Sequence, residues 1–512
     1  MDGLKIKECV VEETLEKARI AKVAADEMAK LTNEQIDKIL RNIVDVVEEN
    51  AYFLGLLAHE ETGFGNAHDK AYKNHMASYL LYQEIKDLKT VGVIREDLEK
   101  KIIEVAHPVG LIMGIVPSTN PTSTIIYNSI IAIKSGNAII FSPHPSAIKS
   151  GKQAAELINE AAEKAGAPKN VVSILDKVSL DATKALMECD DVKLIIATGG
   201  PGMVKSAYSS GKPAIGVGAG NSPAYIEKTA NVKEAVEKIF ISKTFDYGTI
   251  CASEQSIVCE ESNFEEVVKE VEKNGGYFLN KDEIEKVANV IFNPGTHSMN
   301  AKFVGRSAEY IAEHAGIKVP EGTKVLVGPQ AGVGENYPLS YEKLTCVLGF
   351  YVVKDWKEAC ELCFKLLEHG MGHTLSVHTE NPEIVLKFSV KPASRILINS
   401  GGANGGVGLT TNLGIAFTLG CGTCGGSSVS ENVGPQHLIN IKKVAFESKN
   451  PKTVIQQDEK FQKDVMSKVT NSSCCYVEPK TLNFEKTNEI IYSDEQIANA
   501  IRQAIYEIKN RK

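Results

Sequence analysis

Residues 109–143 read VGLIMGIVPSTNPTSTIIYNSIIAIKSGNAIIFSP, and this stretch decides the fold class. Its beginning, residues 109–118, is a nearly continuous apolar run, which is typical of a strand buried on both faces. Residues 122–136 then predict a helix that stops at Gly136, and residues 137–143 predict a second strand. A strand, a helix and another strand in this order indicate a parallel βαβ unit.

The same alternation continues along most of the chain. Helices are predicted over 146–166, 180–189 and 231–245, and strands over 171–175, 192–200, 214–220, 253–260, 324–328, 350–355, 374–379 and 395–399. This pattern predicts an α/β protein with two doubly wound domains, the usual frame for a dinucleotide. After about Ala445 the composition becomes polar, so residues 446–493 are interpreted as a linker, and the apolar stripe of residues 494–512 predicts an amphipathic helix.

Bulk properties exclude several classes of protein. A formal net charge of −8 gives no basic footprint for nucleic acid, and no apolar run approaches the length of a membrane-spanning helix. The first residues lack the apolar region of a signal peptide, and the eleven cysteines then indicate reduced thiols rather than disulfides. We therefore expect a cytoplasmic globular protein without a membrane or nucleic-acid partner.

Residues 244–255, TFDYGTICASEQ, put Cys251 on a glycine-containing connection between a predicted helix and a predicted strand. Such connections tend to display functional groups, and the neighbouring Asp246, Thr249 and Glu254 are polar. Free cysteine is nevertheless among the most buried residue types. The local pattern alone leaves three interpretations open: a core thiol, a metal ligand and a nucleophile.

Two C-x-x-C pairs, Cys360 with Cys363 and Cys421 with Cys424, resemble half-sites for zinc in outline. Their separation is much longer than in compact zinc modules, and the apolar spacing of residues 355–370 accounts for the first pair as helix core. The sequence therefore favours no metal ion. Glycine clusters are abundant, but no G-x-G-x-x-G fingerprint opens the first βαβ unit, so the motif evidence for a generic dinucleotide fold is weak.

Three long strings carry a family resemblance: residues 197–223, ATGGPGMVKSAYSSGKPAIGVGAGNSP; residues 242–256, SKTFDYGTICASEQS; and residues 418–445, TLGCGTCGGSSVSENVGPQHLINIKKVA. Together they resemble the coenzyme A-acylating aldehyde dehydrogenases, both the aldehyde dehydrogenase half of bifunctional aldehyde-alcohol dehydrogenases and the stand-alone enzymes of bacterial microcompartments. The likeness spans roughly residues 10–445.

The resemblance implies the aldehyde dehydrogenase fold with a small β oligomerisation arm, in a homo-oligomer. The implied domains are a nicotinamide-binding domain over 1–223 with an arm segment near 104–117, a catalytic domain over 224–415, a return to the cofactor domain and arm over 416–445, the linker and the terminal helix.

The resemblance also assigns roles to residues. Cys251 matches the nucleophile, and Asn120 matches the asparagine that holds the oxyanion together with the Cys251 backbone N–H. Glu342 matches the glutamate that binds the nicotinamide ribose. His373 matches a histidine characteristic of the acylating branch, with a purely structural histidine as the alternative. The implied cofactor-binding residues are Pro117, Ser118, Ser142, His144, Thr198, Gly199, Gly200, Gly218 and Glu342.

Two departures from the family pattern are informative. Val217 stands where hydrolytic relatives have the glutamate that activates water, so coenzyme A and not water is expected to release the acyl group. Residues 142–145, Ser-Pro-His-Pro, replace the usual end of the adenosine-binding strand, which leaves both NAD and NADP open as cofactors.

The implied reaction is the reversible oxidation of a short-chain aldehyde, acetaldehyde or propionaldehyde, to acyl-CoA through a thioester on Cys251. The alternative is a hydrolytic dehydrogenase that produces the free acid. Residues 494–512 resemble the encapsulation peptides that target enzymes to microcompartment shells, which would put the enzyme inside a microcompartment. Packing of this helix back onto the enzyme is the alternative.

Overall fold

The computed structural model describes residues 2–370 and 372–466. The predicted terminal helix over 494–512 lies outside the described residues, as does most of the predicted linker. The chain divides into two compact units, one formed by residues 1–91 and 107–440 and the other by residues 92–106 and the chain from Ile441 onward.

The described residues form fifteen strands, namely β1 (Gly92–Asp97), β2 (Ile102–Pro108), β3 (Leu111–Val116), β4 (Ala138–Pro143), β5 (Val172–Ile174), β6 (Val192–Thr198), β7 (Ala214–Val217), β8 (Ser222–Ile226), β9 (Glu254–Glu260), β10 (Gly276–Phe278), β11 (Val325–Pro329), β12 (Val347–Val353), β13 (Thr374–His378), β14 (Arg395–Ile398) and β15 (Ile439–Ala445).

The same part of the chain contains sixteen α-helices, namely α1 (Asp2–Met28), α2 (Asn33–Thr62), α3 (Ala67–His75), α4 (Leu81–Ile85), α5 (Pro121–Lys134), α6 (Ile148–Lys164), α7 (Leu180–Glu188), α8 (Pro201–Tyr208), α9 (Val232–Thr244), α10 (Phe264–Lys273), α11 (Lys281–Ile291), α12 (Ala308–His314), α13 (Trp356–Glu368), α14 (Pro382–Ser389), α15 (Gly402–Gly406) and α16 (Pro451–Gln457). No helix within these residues is both long enough and apolar enough to cross a membrane.

Two parallel sheets dominate the first unit. One has five strands in the order β5-β4-β3-β6-β7, and the other has seven in the order β10-β11-β12-β9-β8-β13-β14. The α/β class with parallel sheets is thereby confirmed. In the five-stranded sheet the chain moves outward from β3 to β5 and then continues on the other side with β6, so the strand order reverses between β3 and β6. Open α/β sheets bind ligands at the carboxyl ends of strands at such a point.

The secondary structure predicted between residues 109 and 399 is present in the structure. The predicted helix over 122–136 is α5, which begins with Pro121 at its first position, where a missing N–H costs nothing. Predicted boundaries are less accurate than the elements themselves: β7 ends at Val217, whereas the apolar pattern continues to Gly220. Residues 218–220 form a glycine-rich loop, and this loop becomes part of the site described below.

The arm segment predicted near residues 104–117 stays a prediction, and its range covers two sheets in the structure, since Ile102–Pro108 is β2 of a small sheet and Leu111–Val116 is β3. Within that range, β3 is buried on both faces and belongs to the five-stranded sheet, because its side chains pack against helices on both sides. The small sheet has the order β1-β2-β15, with β1 antiparallel to β2, and β1 is largely exposed. The range predicted as a linker begins with regular structure, since α16 and a helical segment over Phe461–Met466 lie there with their side chains exposed.

Candidate active site

A cavity of about 290 Å³ lies at the carboxyl end of the five-stranded sheet, beside the reversal of strand order between β3 and β6. Residues from both parallel sheets and their connections line it. Ten of the residues singled out from the sequence are among them: Pro117, Ser118, Asn120, His144, Thr198, Gly199, Gly200, Gly218, Cys251 and Glu342. Val217 lines the same cavity.

A second cavity of about 150 Å³ shares part of this lining and extends past β4 towards α7. Ser142 lies here, and its hydroxyl group is 2.9 Å from the Thr183 hydroxyl. His144 lines both cavities, and burial lowers the pKa of its imidazole. The predicted dinucleotide residues therefore lie along one continuous edge of the sheet.

The residues between the two cavities fit the phosphates of a dinucleotide. Gly199 and Gly200 leave open space above their Cα atoms, where a Cβ on Gly199 would meet nothing closer than Met203 at 3.9 Å. The helix α8 begins immediately afterwards without a side chain capping its first N–H groups. The hydroxyl group of Thr198 is buried and has no hydrogen-bond partner within the described residues. Uncapped helix donors and an unpaired hydroxyl suit an anionic ligand.

Cys251 lies in the connection between α9 and β9, after a strained turn. Asp246 and Tyr247 have φ values of 47° and 51°, which non-glycine residues rarely adopt, and Gly248 follows with φ 74°. Cys251 is partly exposed to the cavity, yet burial raises the pKa of its thiol to about 12, with a smaller contribution from the nearby Cys421. The thiol is therefore protonated in the free protein at neutral pH.

Asn120 immediately precedes α5, and its amide group faces the Cys251 connection. The amide nitrogen Nδ2 donates to the Thr249 carbonyl oxygen at 3.3 Å and to the Thr119 hydroxyl at 3.1 Å. The amide oxygen accepts a hydrogen bond of 2.6 Å from the Lys73 ammonium group. Hydrogen bonds thus hold both ends of the amide group, and its donor nitrogen contacts Thr249, which precedes Cys251 by two residues in the sequence.

Glu342 is the one carboxylate among the described residues that line the larger cavity. Its Oε1 accepts a hydrogen bond of 2.8 Å from the backbone N–H of Gly220. Burial raises the pKa of Glu342 to about 7, although that hydrogen bond and the ammonium groups of Lys243 and Lys343 act in the opposite direction. Gly220 cannot be replaced by a larger residue, because a Cβ there would lie 2.2 Å from the Cys251 carbonyl oxygen.

His373 is not part of the cavity lining. It is fully buried, its Nδ1 lies 2.7 Å from the Thr374 hydroxyl, and its Nε2 has no hydrogen-bond partner within the described residues. The ring lies behind Gly220, since a Cβ on that glycine would be 3.2 Å from the imidazole Cγ. Burial, together with the Arg395 guanidinium, lowers the pKa of His373 well below its ordinary value, so the imidazole is neutral.

Sequence analysis missed the buried charges that lie behind Asn120. Lys70, Lys73 and Asp246 are each at most 2% exposed and contact one another. The two lysines are three residues apart on α3, a spacing that is equally typical of an exposed helix face. The strained position of Asp246 has no signature in the sequence, because neither Asp246 nor Tyr247 is a glycine.

The first of the two C-x-x-C pairs lies in a helix. Cys360 and Cys363 lie on α13, where Cys363 is fully buried in an apolar cluster. Within the residues that the structure describes, no group of three or more potential metal-ligating side chains is present.

Comparison with known proteins gives the family. The profile of the aldehyde dehydrogenase family matches residues 4–334. The bifunctional aldehyde-alcohol dehydrogenase of Escherichia coli (strain K12) is 47% identical over 436 residues, which cover 84% of this chain and 49% of that protein. This chain spans about half the length of the bifunctional relatives it matches.

Two solved structures extend the comparison. An acetylating aldehyde dehydrogenase from Geobacillus thermoglucosidasius is 48% identical, with a TM-score of 0.85 and coverage of 87% of this chain and 98% of that one. A propionaldehyde dehydrogenase from the Clostridium phytofermentans fucose utilisation bacterial microcompartment is 28% identical, with a TM-score of 0.76 and coverage of 85% and 97%. From the profile match, the identity and the shared fold, we conclude that this chain belongs to the aldehyde dehydrogenase family.

Proposed function

We propose that this chain oxidises a short-chain aldehyde to its coenzyme A thioester, reversibly, through a covalent intermediate on Cys251. The observation that carries the proposal is the composition of one cavity: it contains a cysteine and an oriented asparagine, and it has a valine at the position of the water-activating glutamate. The names of two solved relatives, one acetylating and one acting on propionaldehyde, support the same reaction class.

In the first step the sulfur of Cys251 attacks the aldehyde carbon: the C–S bond forms, the C–O π bond breaks, and the thiol proton passes to solvent water. The carbonyl oxygen becomes an oxyanion that needs hydrogen-bond donors. Asn120 Nδ2 is available for this role, because its contact with the Thr249 carbonyl oxygen, at 3.3 Å, is long and can be exchanged. In comparable sites a donor of this kind contributes about 3–4 kcal/mol to transition-state stabilisation.

A bound nicotinamide would supply the hydride acceptor for the oxidation of the tetrahedral intermediate. Thr198, Gly199 and Gly200 would hold its phosphates, and Glu342 would bind the ribose next to the nicotinamide ring. We propose NAD as the cofactor, with NADP to be measured beside it, since the Ser142–Pro145 segment does not distinguish between the two. Loss of the hydride leaves an acyl thioester on Cys251.

In the second half-reaction the thiol of coenzyme A attacks this thioester, and Cys251 leaves as the thiol. Val217 ends β7 opposite Thr198 and offers neither a proton acceptor nor a hydrogen bond to water. A thiol is partly ionised near neutral pH, with an ordinary pKa of about 8.5, so it depends less than water on a neighbouring base. This asymmetry favours acyl-CoA over the free acid as product.

The experiment that tests the proposal is a burst measurement. Without coenzyme A, the enzyme should release about one equivalent of NADH per active site and then stall, the behaviour of a trapped acyl-enzyme. Coenzyme A should restore steady turnover and yield acyl-CoA. Sustained formation of the free acid without any thiol would support the hydrolytic alternative instead. Acetaldehyde and propionaldehyde must both be assayed, because one methylene changes binding by only about 1–3 kcal/mol.

We further propose that the enzyme is a homo-oligomer and that residues 494–512 dock to a microcompartment shell. The microcompartment origin named for one relative supports the second proposal. Removing residues 494–512 should leave activity and the thermal midpoint unchanged while abolishing co-assembly with shell proteins. A large fall in the thermal midpoint would instead favour packing of this segment onto the enzyme, and the sedimentation of the intact protein measures its oligomeric state.

A further inference from the structure

A cluster of buried charges lies directly behind Asn120, on the side away from the cavity. The Lys73 ammonium group donates to three acceptors: Asp246 Oδ2 at 2.5 Å, Asn120 Oδ1 at 2.6 Å and Thr249 Oγ1 at 2.9 Å. Lys73, Asp246 and Thr249 are each at most 1% exposed. A buried ammonium group with three acceptors is fully satisfied, so the geometry around it is fixed.

Lys70 belongs to the same cluster and shares one contact with Lys73, the one to Asp246. Its ammonium group also donates to Asp246 Oδ2, at 3.0 Å, but its second acceptor is the backbone carbonyl oxygen of Thr119, likewise at 3.0 Å. It is 2% exposed. The two lysines therefore neutralise the same carboxylate from the same helix, and only Lys73 touches the side chain of Asn120.

The contact with Lys73 decides which way the Asn120 amide faces. An amide group presents an oxygen acceptor at one end and a nitrogen donor at the other, and the two orientations have nearly the same shape. An ammonium group can only donate, so the oxygen must face Lys73 and the nitrogen must face the carbonyl oxygen of Thr249, two residues before Cys251 in the sequence. A charge-assisted hydrogen bond to the oxygen also polarises the amide in a buried environment and makes its N–H a stronger donor.

The backbone near Cys251 is strained to bring Asp246 into this cluster. Asp246 has φ 47°, and its neighbour Tyr247 has φ 51°, both in the left-handed region that non-glycine residues rarely adopt. Two contacts hold Asp246 in place: its backbone N–H donates to Asp69 Oδ2 at 2.7 Å, and its Oδ1 accepts from the Asn66 N–H at 2.9 Å. Strain that is held by several specific contacts is typical of functional sites.

We propose that Lys73 is a positioning residue for catalysis: its ammonium group orients and polarises the Asn120 amide so that the N–H donor is ready for the oxyanion formed on Cys251. The inference rests on the proposed function, because it assumes that Asn120 binds this oxyanion. The competing explanation is purely structural, in which the cluster only anchors α3 to the turn before Cys251.

A double-mutant cycle separates the two explanations. Lys73→Met and Lys70→Met each remove one buried ammonium group from Asp246, so both variants should lower the thermal midpoint to a similar extent. Lys73→Met alone should slow the NADH burst, about 10- to 100-fold in rate constant, because a misoriented amide forfeits part of the effect of an oxyanion donor. The KM for the aldehyde should change little, since the interaction develops in the transition state.

The cycle is completed with Asn120→Ala. In that background Lys73→Met should have no further effect on the burst, because the group through which it acts is missing. Lys73→Gln, which keeps a donor for the Asn120 oxygen without the charge, should fold more readily and recover part of the lost rate. The burst rate of Lys73→Gln is the decisive measurement if Lys73→Met does not fold.

The outcomes that overturn the inference are distinct from those that overturn the proposed function. If Lys73→Met, or Lys73→Gln in its place, slows the burst as much in the Asn120→Ala background as alone, or if Lys70→Met is as slow as Lys73→Met, the role of Lys73 is structural and the inference is wrong. If Asn120→Ala leaves the burst unchanged, the oxyanion role of Asn120 is itself wrong, and the inference fails with it.

Discussion

Two walls of the cavity that Cys251 lines are built in opposite ways. The wall at Asn120 carries a hydrogen-bond donor that is backed by a buried ammonium group. At the other wall Val217, which is 2% exposed, is the last residue of the buried strand β7 and presents only an apolar side chain. Negative charge is expected to develop on the carbonyl oxygen, where donors are already in place, whereas no polar side chain is provided at Val217 to prepare a water molecule.

This difference teaches how one cysteine can favour one acceptor over another. In the proposed mechanism both half-reactions pass through a tetrahedral intermediate with an oxyanion, so both would benefit from the Asn120 wall. Only attack by water needs a base at the other wall, because the thiol of coenzyme A is acidic enough to ionise in part without one. The selectivity for acyl-CoA would then come from a missing group rather than from an added one.

The largest expected effect belongs to the residue between the two walls. Cys251→Ala removes the nucleophile, and we expect kcat to fall by at least about 10³-fold in both directions while cofactor binding is retained. Cys363→Ala is the matched control, since it removes a fully buried thiol from the core of α13 and should cost stability only. A Cys251→Ala enzyme that kept a tenth of wild-type kcat would contradict the assignment of the nucleophile.

Breaking the polar wall should have the next largest effect. Asn120→Ala removes one oxyanion donor, and we expect kcat to fall about 10²- to 10³-fold with little change in the KM for the aldehyde. Asn128→Ala is a control on the same helix, because Asn128 is fully buried and its side chain contacts Thr418, away from the cavity. Equal losses of activity in the two variants would show that the effect comes from damage to α5 and not from the donor.

The two walls also differ in how far the sequence predicts them. Val217 and Cys251 lie inside long family strings, and Asn120 follows the apolar run over 109–118, so the fold and the lining of the cavity could be predicted together. Lys73 could not be predicted as part of the site, because a lysine on a polar helix is usually solvated and its burial depends on contacts with residues about 170 positions away.

Local sequence also does not determine which sheet a strand joins or where a side chain lies in the folded chain. The apolar run over 109–118 predicts a buried strand of a parallel sheet, and Leu111–Val116 is that strand, whereas the local sequence does not show that the small sheet takes only Ile102–Pro108 from this region. The family pattern likewise gives the type of residue at His373, but its place behind Gly220 follows from the packing of the glycine loop against Cys251.

Replacing Val217 with a glutamate tests whether the missing base is what prevents attack by water. Val217→Glu should increase NADH formation in the absence of coenzyme A at least about tenfold over the stalled wild type, because the carboxylate can deprotonate a water near the thioester. Burial beside apolar neighbours would raise its pKa towards neutrality, which suits a general base. Val217→Gln is the matched control with the same shape and no base. An equal rate of NADH formation without coenzyme A in the glutamine variant would show that the shape of the side chain, and not its basicity, allows water to attack the thioester.

The smallest expected effect concerns the cavity's own carboxylate. Glu342 has a pKa of about 7, raised by burial, so it is largely protonated at pH 6 and largely ionised at pH 8. Because an ionised carboxylate accepts hydrogen bonds from both ribose hydroxyls, the KM for the cofactor should fall as the pH rises through 7, by up to about tenfold. Glu342→Gln should remove this slope and change kcat only slightly.

Glu254→Gln is the control for this pH dependence. Burial raises the pKa of Glu254 to about 7 as well, but its oxygens accept hydrogen bonds from Ser242 and the Gly402 N–H, outside the lining of the cavity. If the pH dependence of the KM for the cofactor survives in Glu342→Gln, or disappears in Glu254→Gln, the titrating group is not Glu342. Asn120 would then be the one polar side chain of the cavity with an argued role in the reaction.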